Sequence, residues 1–228
     1  MPLAALLFAL SLPVQNPPVA QAPKLNFVET FAAGNAGRWS FFGNPDNPIE
    51  VIEAAGGNPG AFLHSTCSGL ACLDTFAPQL RTELGVPSVF SGDYRSKGVR
   101  ALGVDLAIFR VDFSSSGRPL TLMLTNDAGT PADPLDDVIV HLLGSRNVPQ
   151  PDGSWHKYTF QVPSASPTLP AHWQVFQGSG NDDADWNQVI TDVDQASFFF
   201  GDPQFFFIFQ QWELGVDNMR IRLDADGL

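Results

Sequence analysis

Trp39, Trp155, Trp173, Trp186 and Trp212 are the residues of this chain best suited to recognising another molecule. An indole face packs on the C–H surface of a pyranose while nearby Asp, Asn and Arg bond its hydroxyls. Most of the five are expected in a core. Trp186 stands apart because Asp185 and Asn187 flank it in a polar stretch, so the trio Asp185, Trp186 and Asn187 is read as exposed and ligand-contacting. Trp155 begins an alternation with Lys157, Thr159 and Gln161 opposite His156, Tyr158 and Phe160, and the pattern does not fix which face is wet. Tyr94 and Arg95 join the ligand-binding set; with His64 they are the kind of Tyr, Arg and His trio a polysaccharide lyase would need.

Carboxylates cluster in two loops, Asn126–Asp137 and Gly178–Asp185. Crowded carboxylates either hold a cation or stay extended and solvated through mutual repulsion, and Pro131 and Pro134 favour solvation in the first loop. The second lacks the glycine and terminal Glu of an EF-hand. Cys67 and Cys72, with Gly69 between them, suit a small disulfide loop in an oxidising compartment; the spacing excludes a CxxC redox site. There is no nucleophile elbow, zinc-protease motif or phosphate loop, and His64, His141, His156 and His172 are scattered singly. Catalysis is not expected. Paired carboxylates for glycoside hydrolysis are a spatial property that sequence leaves open.

The elements that must position these residues are short strands. Apolar residues recur with a period near two from Leu25 onward, in runs ended by Gly, Pro, Asn or Asp, and the 20 glycines and 19 prolines are spread along the whole chain. Strands are predicted at 26–31, 38–42, 50–53, 61–64, 79–83, 99–113, 120–125, 138–143, 155–162, 196–201 and 215–223. Gly56-Gly57-Asn58-Pro59-Gly60 is a tight turn. Over 99–113 the faces are expected to switch as a long sandwich strand leaves the core. Asp185–Val193 is the best candidate for a helix. The phenylalanines at 198–200 and 205–209 are too apolar for a surface strand, so they belong to a doubly buried strand or to an interface with another chain. The pattern predicts an all-β chain folded as an antiparallel β-sandwich of one domain, 23–228.

Residues 1–22 read as an export signal: Leu3–Leu12 has the length of an apolar h-region, about half of the roughly 20 residues a membrane span needs, and Ala20-Gln21-Ala22 is a small-x-small triplet. No Lys or Arg precedes the run, and Pro23 follows the apparent cut. A secreted or cell-surface location without stable membrane insertion is expected. The net charge of −12 repels phosphates, which argues against nucleic acid and leaves neutral sugars and divalent cations as compatible partners.

Phe27-Val28-Glu29-Thr30-Phe31 with Arg38-Trp39-Ser40, then Gly57-Asn58-Pro59-Gly60-Ala61-Phe62-Leu63, and finally Gly215-Val216-Asp217-Asn218-Met219-Arg220-Ile221 resemble the pattern of galactose-binding-like jelly-roll modules, which include many carbohydrate-binding modules of secreted bacterial enzymes. Phe90-Ser91-Gly92-Asp93-Tyr94-Arg95 is similar, less specifically, to the laminin IV (laminin B) domain. The first resemblance implies a jelly roll, an extracellular glycan as partner and a structural calcium ion (Ca2+), carried over to Glu29, Asn58 and Asp217. The expectation is thus a secreted, acidic, non-catalytic glycan-binding domain. Two other readings stand beside it: an adhesive surface protein that self-associates through its phenylalanines, and a jelly-roll lyase or hydrolase.

Overall fold

A computed structural model describes residues 26–33, 37–42, 49–66, 79–111, 117–205 and 212–223. The leader 1–22, Cys67 and Cys72 lie outside the described residues. The strands are β1 (Asn26–Glu29), β2 (Trp39–Phe42), β3 (Ile49–Gly57), β4 (Gly60–Thr66), β5 (Gln79–Thr82), β6 (Val99–Val111), β7 (Pro119–Asn126), β8 (Val138–Asn147), β9 (His156–Gln161), β10 (Trp173–Gln177), β11 (Gln195–Phe199) and β12 (Trp212–Leu223), with helices α1 (Tyr94–Lys97) and α2 (Asp182–Thr191).

These strands form two six-stranded antiparallel sheets. The first runs β3-β4-β12-β6-β9, with β1 also on β12; the second runs β10-β8-β7-β11-β5-β2. The chain crosses repeatedly between them, from β5 to β6, β6 to β7, β8 to β9, β9 to β10 and β11 to β12. That alternation is the jelly-roll form of the β-sandwich; the sandwich is what the strand pattern predicts and the jelly roll is what the resemblance implies. Leu106, Ile108, Leu214 and Val216 from the first sheet share one core with Leu122, Leu124, Ala196 and Phe198 from the second. Each such side chain contributes roughly 1.5–3 kcal/mol on burial. Phe198, Phe199 and Phe200 are buried, so that part of the phenylalanine run is core, whereas Phe205 is exposed and 206–209 lie outside the described residues.

Two elements differ from expectation. The helix starts three residues earlier than Asp185: Asn181 caps it by accepting from the Ala184 amide at 3.2 Å, and Asp182, Asp183 and Asp185 sit in its first turn, where the helix dipole favours negative charge. The edge strand β10 is new. Only five residues long, it pairs with β8 across a register shift, which leaves little periodic signal.

Strand β6 switches faces at its end, where a register shift at Phe109 puts Val111 against the same core as Ile108, and its middle matters for function. Every residue from Ala101 to Ile108 is buried, including Gly103, Asp105 and Ala107, which point away from the core. The outer face of the first sheet is therefore covered.

Candidate ligand-binding face

The cover is built from aromatic and charged side chains. Strand alternation turns Leu63 into the core and Phe62 and His64 outward, and neighbouring strands add Glu53 opposite Phe62 and Gly215 opposite both His64 and Ala107. Phe62 is only 6% exposed, yet it lies outside the core cluster. Its ring centroid lies 5.4 Å from that of Trp155 at 80° and 6.1 Å from that of Phe109. The His64 ring stands edge-on to Phe109 at 5.3 Å. Trp155 arrives from just before β9 and reaches across the sheet to donate its Nε1–H to the Gly56 carbonyl at 3.0 Å. Trp155 and Phe109 remain half-buried.

Gly215 makes this packing possible. A Cβ there would lie 2.8 Å from the Phe62 ring and 3.0 Å from the Trp155 ring. At one end of the cluster His64 lies between two carboxylates, with Nδ1 3.4 Å from Glu53 Oε1 and Nε2 3.3 Å from Glu213 Oε1. The side chains of Glu53 and Glu213 are 47% and 37% exposed, so their free oxygens face solvent beside the rings.

At the other end the face closes over buried polar groups. Arg220 lies over Gly103 and pairs with Asp105 at 2.7 Å. Asp105 Oδ2 accepts from the side-chain amides of Asn58 at 3.1 Å and Asn218 at 2.9 Å. Asp217 accepts from the Asn58 and Asn218 backbone amides, each at 2.6 Å. Burial pushes the Asp217 carboxyl above its ordinary range, the two amides pull it back, and Asp105 adds to the rise while Arg220 opposes it. The cluster pins the β3–β4 turn, Gly57 to Gly60, onto β12 and β6. A side chain at Gly57 would strike the Ala61 carbonyl at 2.7 Å and Asp217 Oδ2 at 2.9 Å.

Asn58 and Asp217 of the expected calcium set are thus in direct contact. Glu29 does other work: its two carboxylate oxygens accept from the Phe31 amide at 2.7 Å and the Gly37 amide at 3.0 Å. Amides hold both oxygens of Glu29 and of Asp217, and the Arg220 guanidinium is the positive charge beside Asp105 and Asp217. Among the described residues no group of three or more His, Cys, Asp or Glu side chains is arranged to hold a metal ion. The donor set does not fit calcium.

The expected ligand-binding set is brought together, but in structural contacts: Tyr94, Asp185 and Trp186 are buried, and Arg95 and Asn187 are half-buried. Trp186 is 0% exposed, packs on Trp173 at 5.1 Å and donates to the Ser166 carbonyl at 3.0 Å, which corrects its reading as an exposed residue. The physical reason is the helix: Trp186, Val189 and Ile190 form the buried apolar stripe of α2, and Asp185 is buried beside them. Asp185 is buried against the Ser179 amide and hydroxyl. Arg95 donates to Asn187 Oδ1 at 2.7 Å and to the Ser164 and Ser166 carbonyls, while Tyr94 donates its hydroxyl to the Phe90 carbonyl. These are internal fasteners. The residues that sequence reasoning missed are Glu53, Phe62, Phe109 and Glu213. Their one signal is a strand, β4, apolar on both faces, in register with a glycine.

No protein-family model matches the chain, and no curated protein matches it. Among solved structures it is similar to a xylan-binding domain of carbohydrate-binding module family 22, at 12% identity over 91% of this chain and 98% of that one, with a TM-score of 0.42. It is also similar to the K1 cleaved adhesin domain of Lys-gingipain from Porphyromonas gingivalis, at 14% identity over 88% and 99% of the two chains, with a TM-score of 0.40. The L4b domain of human laminin alpha-2 is a third, at 10% identity over 64% and 70%, with a TM-score of 0.38. Both kinds of module that the sequence pattern resembles are among these neighbours.

Proposed function

We propose that this chain is an extracellular, non-catalytic glycan-binding domain whose ligand lies on the aromatic outer face of the first sheet. One observation carries the reading: Phe62 and Trp155 pack over Gly215, with Phe109 against Phe62, on the side of a sandwich where polar residues are the rule, with exposed carboxylates at their rim. A pyranose stacks on Trp155 and Phe109, and Glu53 and Glu213 accept hydrogen bonds from its hydroxyls. The carboxylates and the net charge of −12 select against uronate and sulfated chains. Affinity electrophoresis in gels containing neutral or acidic polysaccharides tests this. Retardation by at least one neutral polymer is expected, and retardation by acidic polymers alone overturns it.

Calcium has no part in this reading, because Arg220 supplies the positive charge beside Asp105 and Asp217. Chelation is expected to leave the melting temperature unchanged. A clear fall on chelation, restored by added calcium, would return the ion to the account.

A further inference from the structure

A second cleft opens at the edge of the sandwich, between β9 of the first sheet and the end of β8 in the second. It has a volume of about 510 Å3. Strand β10 pairs with β8 only as far as Leu142, so no described strand covers Leu143–Asn147 on that side. Strand β9 is likewise an edge strand. The two strands are tied at one end, where Arg146 donates to the Lys157 carbonyl at 3.0 Å and the Tyr158 hydroxyl donates to the Asn147 carbonyl at 2.7 Å. Leu142 and Phe160 are among the apolar residues that line the cleft.

The lining contains no charged side chain, although the chain carries 24 acidic and 12 basic residues. Its polar groups are the hydroxyls of Ser145 and Thr159, the amides of Gln161 and Gln174, and the His172 imidazole. Among the described residues Ser145, Thr159, Gln161 and His172 make no side-chain hydrogen bond, and Gln174 only accepts one, from Gln204. His172 also holds a φ of 73°, a left-handed conformation that costs a non-glycine residue energy and recurs where structure serves a ligand.

We infer that this cleft is a second binding site, for an uncharged, hydroxyl-rich ligand: a neutral saccharide. It is separate from the aromatic face and does not require that face to bind. The volume falls in the range of small-ligand clefts, and amides with hydroxyls supply both the donors and the acceptors that sugar hydroxyls need. A peptide strand fits less well. The tie consumes the Lys157 and Asn147 carbonyls, which leaves an open edge too short for strand addition.

The test is a backbone-amide NMR titration of the whole chain with xylohexaose, mannohexaose and cellohexaose, with hexagalacturonate and an extended neutral peptide as comparators. At least one neutral hexasaccharide is expected to shift Leu143–Ser145 and Thr159–Gln161. Those shifts persist in Trp155→Ala, and affinity falls about tenfold in the Gln161→Ala/Gln174→Ala double variant at an unchanged melting temperature, the loss that two neutral hydrogen bonds amount to. Cleft shifts from none of the three neutral sugars, from the peptide alone, or only while Trp155 is present overturn the inference. Because the aromatic face is read from shifts at Phe62, Phe109 and Gly215, failure of one site is distinguishable from failure of the other.

Discussion

Gly215 is the residue on which the aromatic face depends most directly. In Gly215→Ala the new methyl group meets two rings at under ordinary contact distance, and at least one ring must move. The expected outcome is weakened glycan binding, with Trp155 fluorescence shifted toward that of an exposed indole and the overall β-sheet circular dichroism retained. An unchanged Trp155 spectrum would show that the rings do not rest on this glycine. Arg220 plays the corresponding part at the polar end. Arg220→Ala leaves Asp105 and Asp217 buried without their cation, and breaking a buried pair in this way costs about 3–5 kcal/mol. Asp105→Asn/Arg220→Met, which removes both charges, is expected to recover much of that loss in urea denaturation. Equal loss in the single and double variants would mean that the charge pairing contributes little.

At the scale of elements, α2 is a strut between the second sheet and α1. Trp186→Ala removes a fully buried indole and is expected to cost roughly 3–5 kcal/mol without touching the ligand face. Glycan affinity of the folded fraction should then match that of the parent chain. Loss of affinity at low temperature, where the variant is folded, would restore Trp186 to the site. This helix also shows what the sequence disclosed and what it hid. Period-two runs located eleven of the strands because a half-buried strand writes its pattern locally. Trp186, Val189, Ile190 and Val193 gave the helix its stripe, yet the aspartates around Trp186 read as a wet loop, since capping and dipole chemistry use the same residues as solvation. The ligand face was illegible for another reason. Glu53, Phe62, Phe109, Trp155 and Gly215 come from five strands or their approaches, and only the register of β3, β4, β12 and β6 sets them side by side.

The whole molecule carries many more acids than bases, and several of its carboxylates are held away from water. Burial raises the pKa of Glu50, Asp137, Asp194 and Asp217 above the ordinary range. A raised folded-state pKa means that the folded form binds protons more readily than the unfolded chain does. Its stabilising contribution is complete below the unfolded pKa and is lost as pH rises through the folded one. Asp93 and Asp152 shift the other way and bear only on more acidic conditions. Relief of the net −12 charge acts in the same direction as the four raised carboxylates. Burial holds the His141 imidazole below its ordinary range, and this opposes the gain as the unfolded chain takes up a proton just below neutral pH. With His141 replaced by Gln, the melting temperature is therefore expected to rise as pH falls from neutral toward about 5. A monotonic fall over that interval would contradict the assignment of these buried acids.

The aromatic face is the central claim, and one comparison tests it most directly: calorimetric titration of the parent chain and of Trp155→Ala with the neutral polysaccharide that retards the protein most, each checked by its thermal melt. The expected result is binding by the parent chain, loss of at least the aromatic-face component in Trp155→Ala, and melts that show both proteins folded. Undiminished binding by folded Trp155→Ala would contradict the assignment of the ligand to that face.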